Sequence, residues 1–131
     1  MASNKEIAKL NAIIFGRGDQ YSKESFVDQT QQLIRRDGKE VVGYLLYREI
    51  PDYISIERVG TVKKKRRKGL AKSLFRSLKR IAKKAGKPIR TYLAYDNLPS
   101  YKLHIGAGFY PTHIAWNRWV WVEYRADKRE G

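Results

Sequence analysis

The stretch Val59–Gly86 constrains the fold of this chain more than any other, because a strand, a basic turn and a helix follow one another in it without a break. A run rich in β-branched residues ends at Val62, and the turn covers residues 66–71. Apolar residues then recur at helical spacing and predict an amphipathic helix to about Ala85, with these positions on one face: Leu70, Leu74, Leu78, Ile81 and Ala85. Gly86 is typical of a C-terminal cap.

The turn before this helix has the residues of a phosphate-binding site. Backbone N–H groups at a helix N-terminus have no intrahelical partner, and the helix dipole favours an anion there. Gly69 and the small Ala71 allow a ligand to approach the backbone closely. Arg66, Arg67 and Lys68 add charged donors. The pattern G-x-x-x-x-G-K-[ST] is absent, which argues against a P-loop.

The charge of the chain is strongly positive and unevenly distributed. The net charge is +15, and no acidic residue lies between Glu57 and Asp96, a span that holds 15 of the 28 Lys and Arg residues. Such a stripe, Lys63–Lys87, favours a polyanionic partner such as nucleic acid or tRNA. The alternative is a solubilising surface combined with a pyrophosphate site.

Composition excludes several classes of protein. The length of 131 residues predicts one domain. The absence of cysteine excludes disulfides and Cys-ligated metal sites, and we expect no metal. No apolar run of about 20 residues is present, so we expect no membrane span. The first residues lack the features of a signal peptide, and we expect a cytoplasmic protein.

The remaining elements follow from periodicity and turn residues. Ser3-x-x-Glu6 is a capping box and predicts a helix over residues 3–15. A second helix is expected from Ser22 to about Gln32, although residues 31–36 also fit the start of a strand. Asp37-Gly38 indicates a hairpin. Further strands are expected over 40–49, 53–62, 89–95, 113–116 and 118–125, and a short helix over 100–107. The predicted order is α, α, β, β, β, α, β, α, β, β.

Two blocks of the chain resemble the GNAT N-acetyltransferases. Arg66-x-x-Gly69-x-Ala71 matches the turn of their acetyl-CoA motif, and the block from Asn97 to Phe109 is similar to their N-x-x-[AS]-x-x-L-[YH]-x-x-x-G-F. Thr61 departs from the usual Val, Lys63 departs from the frequent Pro, and no strand is visible before the first helix. The resemblance implies an α/β fold over 1–131, a single GNAT-like domain with a mixed central β-sheet flanked by helices.

The resemblance also implies direct transfer of an acetyl group from acetyl-CoA, as co-substrate, to an amine. The family holds the pantetheine arm between its fourth and fifth strands, with bonds to the backbone near Val59 and Thr61. Asn97 commonly bonds this arm, although it also fits a helix N-cap. The residues implied in cofactor binding are Val59, Thr61, Arg66, Arg67, Lys68, Gly69, Leu70, Ala71, Asn97 and Tyr101.

Two residues are implied in catalysis. His104 stands where many members carry a Tyr that protonates the departing CoA thiolate, and imidazolium is a competent acid near neutral pH. Glu57 lies on the strand from which several members take their base. The alternatives are a His that only packs, and a Glu that pairs with nearby Lys or Arg. In some members the base aligns nearer Ser55, which cannot act as one.

The acceptor is left open by the sequence. The charge indicates an amine on an anionic macromolecule: a nucleic acid, a tRNA or a protein. The alternative function is a basic nucleic-acid-binding module on a GNAT scaffold without catalysis. Trp116, Trp119, Trp121 and Tyr124 cluster near the end of the chain, where they fit sheet packing or, if exposed, stacking on a base. Monomer and homodimer both stay open.

Overall fold

The computed structural model describes residues 2–66, 69–116 and 118–126, and of residues 115 and 116 it describes the backbone alone. In this described part of the chain, four α-helices and six strands follow one another in the predicted order. The helices are α1 (Asn4–Phe15), α2 (Glu24–Val27), α3 (Leu70–Ala85) and α4 (Leu98–Gly106). The strands are β1 (Gln31–Asp37), β2 (Glu40–Glu49), β3 (Ile54–Thr61), β4 (Ile89–Ala94), β5 (Tyr110–Trp116) and β6 (Trp119–Tyr124).

The strands form one mixed six-stranded sheet in the order β1-β2-β3-β4-β6-β5. β3 and β4 run parallel, with Ile54 opposite Ile89 and Ser55 opposite Arg90. The pairs β1–β2, β4–β6 and β5–β6 run antiparallel. The predicted α/β fold, a mixed sheet flanked by helices, is therefore confirmed.

The contacts divide the chain into two compact units, Met1–Arg48 with Ile56–Ser77, and Glu49–Ser55 with Leu78–Gly131. The core of the first unit lies between α1, α2 and β2, where Ile7, Val27, Tyr44 and Leu46 are fully buried. The Oγ of Ser3 accepts a hydrogen bond from the backbone N–H of Glu6 at 3.1 Å, which confirms the predicted N-cap.

The prediction of a long second helix is wrong. α2 covers Glu24–Val27 alone, and its N-cap residue makes no side-chain cap bond. Ser22 does not cap it, since its Oγ donates to the carbonyl of Gly16 at 2.7 Å. The chain turns at Thr30, whose hydroxyl donates to the carbonyl of Val27, and then pairs with β2 from Gln31 onward. Pairing along β1 therefore overrides the helical spacing, and the alternative of a strand over 31–36 is confirmed.

α3 matches its predicted bounds, and its buried residues follow the predicted face. Leu74, Phe75, Leu78 and Ala82 are buried, while Ala85, which the spacing placed on this face, is exposed in the last turn. The helix ends in a Schellman-type cap around Gly86, which has φ +71°. The N–H of residue 87 donates to the carbonyl of Ala82 at 3.0 Å.

In the second unit, α4 and β5 begin earlier than expected. α4 starts at Leu98 instead of Ser100, because Asn97 caps it and Pro99 fits its first turn. β5 starts at Tyr110 instead of His113. It includes Pro111, which is compatible with a strand at the edge of the sheet. Among the described residues no helix is long and apolar enough to cross a membrane.

Gly60 on β3 is required by the ring of Tyr44. A Cβ at Gly60 would lie 2.6 Å from ring and hydroxyl atoms of Tyr44, whose hydroxyl donates to Asn11 at 2.6 Å. We expect Gly60→Ala to lower the free energy of unfolding by about 1–3 kcal/mol through overpacking, measured by urea denaturation. Gly43→Ala is the matched control, because its Cβ would meet its nearest neighbours at 3.7 Å. Equal losses in the two variants would contradict this explanation.

Candidate functional site

The predicted phosphate-binding turn begins at the end of β3. Val59 and Thr61 are half-buried on that strand, and a 3-10 turn, Lys63–Lys65, follows it. Arg66 is exposed, and its Nε donates to the carbonyl of Thr61 at 3.2 Å. This contact turns Arg66 back onto the strand end. The predicted contributions of Arg67 and Lys68 lie outside the described residues.

Gly69 completes the turn and leads into α3. It is exposed, has φ +79°, and a Cβ at this position would meet no atom of the described residues beyond its chain neighbours within 4 Å. The N–H of Ser73 donates to the carbonyl of Gly69 at 3.0 Å. The N–H groups of Leu70 and Ala71 precede this first bond and, as at any helix start, have no intrahelical acceptor. An open backbone at the positive end of a helix fits an anionic group such as a pyrophosphate.

Part of the predicted basic stripe already has partners. Lys64 and Lys65 form ion pairs with Glu40 and Asp37 at 3.4 and 2.8 Å. Lys79 donates to the carbonyl of Ala107 and lies over the ring of Tyr124, and Lys87 pairs with Glu49 at 2.8 Å. The outer side of α3 still carries exposed cations: Lys72, Arg76, Arg80, Lys83 and Lys84.

Glu57 accepts a hydrogen bond from a buried tyrosine. The hydroxyl of Tyr21 donates to Oε1 of Glu57 at 2.9 Å, and Tyr21 is 6% exposed. Burial, followed by the nearby charge of Glu57, raises the pKa of Tyr21 to about 12. Tyr21 therefore stays protonated and remains a donor at neutral pH. This contact does not support the alternative, an ion pair between Glu57 and a Lys or Arg.

A polar network holds the segment that carries Tyr21. The amide of Asn11, which is fully buried, donates to Asp19 at 2.8 Å and to Ser22 at 3.0 Å. Asp19 also accepts from the backbone N–H of Tyr21 and forms an ion pair with Arg58. Sequence reasoning missed this network. The available signal was a polar Asn11 between apolar neighbours on α1.

His104 lies in the interior of the second unit. It is 4% exposed, and its ring packs edge-on against Phe109 at 5.4 Å. Nδ1 lies 2.8 Å from the carbonyl of Ser100, which can only accept, so Nδ1 carries a proton. Burial lowers the pKa of His104 more than the bond to Ser100 raises it. Neutral imidazole is thus favoured, and the role as an acid stays a prediction.

The other two predicted residues of this unit lie at the start of α4. The Oδ1 of Asn97 accepts from the N–H of Ser100 at 3.4 Å, which is the N-cap alternative. The side chain of Asn97 is nevertheless exposed, and Tyr101 is half-buried one turn later. The first unit accordingly holds Glu57 and the turn residues, and the second unit holds Asn97, Tyr101 and His104.

We expect His104 to make stability depend on pH. Its folded pKa is lowered, so the unfolded chain takes up the proton first as the pH falls. Its stabilising contribution is present in full above a pH of about 6.5 and is lost as the pH falls toward the folded pKa, by at most about 1.4 kcal/mol per pH unit. Urea denaturation between neutral and mildly acidic pH measures it. His104→Asn should remove this pH-dependent fall in the free energy of unfolding, and His113→Asn should keep it. An unchanged fall in His104→Asn would contradict the assignment of the effect to His104.

Similarity to known proteins indicates the family of this chain. The model of the Acetyltransferase (GNAT) family matches residues 8–109. No protein with a curated description matches the sequence. The fold is similar to the ribosomal-protein-S18-alanine N-acetyltransferase from Escherichia coli, with a TM-score of 0.78, 10% identity, and 92% of this chain and 86% of that chain covered.

Two ligand-bound structures have similar folds. The PaiA N-acetyltransferase from Thermoplasma acidophilum, in complex with coenzyme A, has a TM-score of 0.75 and 18% identity, with 94% of this chain and 88% of that chain covered. A GNAT family acetyltransferase from Elizabethkingia anophelis, with acetyl-CoA bound, has a TM-score of 0.73 and 10% identity, with 89% and 88% covered. The family match shows, in agreement with the open turn at Gly69 and the sheet order, that this chain belongs to the GNAT acetyltransferase family, whose co-substrate is acetyl-CoA.

Proposed function

We propose that the chain is an N-acetyltransferase that moves an acetyl group from acetyl-CoA directly to an amine. The observation that carries the proposal is the turn at Gly69, which opens the backbone at the start of α3 inside the region matched by the family model. A covalent acetyl-enzyme is not invoked, since the chain has no cysteine.

The residues that would hold acetyl-CoA fall into two groups. The backbone of Gly69, Leu70 and Ala71 would take the pyrophosphate, with charge from Arg66, Arg67 and Lys68. Val59, Thr61, Asn97 and Tyr101 are proposed to hold the pantetheine arm, which rests on the family resemblance. Acetyl-CoA supplies a thioester, whose carbonyl carbon is open to attack by an amine.

In the proposed reaction the amine nitrogen forms a bond to the acetyl carbon, and the bond from that carbon to sulfur breaks. The nitrogen loses one proton and the departing thiolate gains one. Glu57 is proposed as the base, either directly or through water, with Tyr21 holding Oε1 at 2.9 Å. His104 is proposed as the acid, although its burial and its lowered pKa limit the charged form at neutral pH.

The acceptor is proposed to be an amine on an anionic macromolecule, either nucleic acid, tRNA or protein. The exposed cations on the outer side of α3 support this choice, because none of them forms an ion pair with another described residue, whereas Lys64 and Lys65 do. We also propose a cytoplasmic location, because the chain has no cysteine. The protein would act as a monomer or a homodimer.

The same cations favour one second function, a nucleic-acid-binding module without catalysis. The two are separated by incubating the protein with acetyl-CoA and a panel of amines, followed by measurement of free CoA thiol and of product mass. Acetylated amine with matching thiol release supports the enzyme. Binding of nucleic acid that falls steeply with salt, without thiol release from any acceptor, would favour the module instead.

A further inference from the structure

One face of the sheet in the second unit presents a row of rings, which we name the ring row: His113, Trp121, Tyr92 and Trp119. Tyr92 on β4 lies opposite Trp121 on β6, and Trp121 lies opposite His113 on β5. The alternate residues Thr91, Val120 and Val122 are buried. The core therefore lies on the other side of these strands, and the ring row faces away from it.

The rings of this row contact one another closely. Tyr92 meets Trp119 and Trp121 edge-on, with centroids 5.5 and 5.0 Å apart. His113 stacks on Trp121 at 6.1 Å with an interplanar angle of 24°. Tyr92 is nevertheless 45% exposed and His113 is exposed, while Trp119 and Trp121 are half-buried. Such an exposed aromatic patch is typical of a binding surface.

The row adjoins a positively charged pocket of about 440 Å³. Its walls include Tyr53, Arg90, His113, Trp121 and Arg125 around the carboxylate of Glu123. Arg90 lies over the ring of Tyr53, with the guanidinium carbon 4.9 Å from the centroid. At the other end of the row, Arg118 lies over Trp119 at 5.6 Å and pairs with Asp96 at 3.8 Å.

Glu123 does not reverse this charge. Its Oε1 accepts from Arg90 at 2.6 Å, and its Oε2 accepts from Arg125 and from the hydroxyl of Tyr110 at 3.0 Å. Burial alone would raise the pKa of Glu123, but these three donors lower it overall, so the carboxylate stays ionised and engaged. Two guanidinium groups against one carboxylate leave the pocket with net positive charge.

We propose that the ring row and its pocket bind single-stranded nucleic acid, with bases stacked on the rings and phosphates near the guanidinium groups. Exposed aromatic rings with cationic neighbours suit unpaired bases, whose faces a duplex conceals. A second copy of this chain is a poor occupant, because two molecules of net charge +15 repel each other. The inference builds on the proposed function, since it would name single-stranded nucleic acid as the class of acceptor.

Tryptophan fluorescence tests this directly, because all three tryptophans of the chain lie in β5 and β6. The full chain is titrated, without acetyl-CoA, with oligouridine and oligodeoxythymidine of about 12 nucleotides, a blunt duplex of the same phosphate number, and polyglutamate. We expect quenching by the single strands, which bind at least about tenfold tighter than the duplex. Comparison of the two single strands separates RNA from DNA.

Variants distinguish stacking from charge alone. Tyr92→Ala should weaken the binding of single strands about tenfold, and Tyr92→Trp should restore it. Ile114→Ala is the matched control. Ile114 is 70% exposed on β5 and pairs with Val120, so it lies on the sheet face opposite the ring row. Any one of three results would overturn the proposal. The first is equal affinity for single strand, duplex and polyglutamate, and the second is an unchanged affinity of Tyr92→Ala for single strands. The third is a dimer, detected by sedimentation, that depends on Tyr92. These titrations contain no acetyl-CoA, so neither outcome decides whether the chain transfers an acetyl group.

Discussion

Glu57→Gln should lower kcat for acetyl transfer by about 10²- to 10⁴-fold, the range typical of a lost general base. Gln keeps the size of Glu57 and can still accept the hydrogen bond that Tyr21 donates at 2.9 Å, so the local structure should survive. It cannot take a proton from the amine. The affinity for acetyl-CoA should change little, since Glu57 is proposed to act on the acceptor. Steady-state kinetics with an amine found in the panel, together with calorimetric binding of acetyl-CoA, measures both quantities.

A change of charge alone has its own control. Glu49→Gln removes one negative charge at the exposed end of β2, where Glu49 pairs with Lys87. Its kcat should stay within a few-fold of wild type. A kcat for Glu57→Gln within a few-fold of wild type would assign the base to another group or to water.

The sequence predicted best the elements whose signals are local. The apolar spacing of α3, the positive-φ glycines at its two ends, and the hairpin at Gly38 each depend on neighbours within a few residues. Local signals also placed Gly69 just before α3, and the alternative of an N-cap at Asn97 agrees with the structure. The strand predicted over 118–125 is likewise confirmed, since β6 covers Trp119–Tyr124.

Contacts between residues far apart in the chain could not be predicted from the sequence. Tyr21 and Glu57 are 36 residues apart, and Asn11 and Tyr44 are 33 apart, so nothing in their local patterns joins them. The long second helix failed for a related reason. The spacing of Phe26 and Leu33 fits a helix, but pairing of Leu33 with Leu45 in β2 decides the conformation. The burial of His104 was also unpredictable, because it depends on Phe109 and the sheet around it.

The central claim is that the open turn at Gly69 binds acetyl-CoA, and Gly69→Trp tests it with the largest expected change in affinity. An indole there would occupy the space around the Cβ position, which no described residue beyond the chain neighbours enters within 4 Å, and would block the first N–H groups of α3. Losing two or more charge-assisted hydrogen bonds, about 1.5–3 kcal/mol each, corresponds to an affinity loss of at least about 100-fold. Gly86→Trp is the matched control, since Gly86 lies at the other end of α3 with φ +71° and equally open space.

The measurement is isothermal titration of acetyl-CoA into wild type and both variants, each checked for folding by circular dichroism. We predict binding by wild type and by Gly86→Trp, and at least about 100-fold weaker binding by folded Gly69→Trp. Undiminished binding by folded Gly69→Trp, or no binding by folded wild type, would contradict the assignment of this turn to acetyl-CoA.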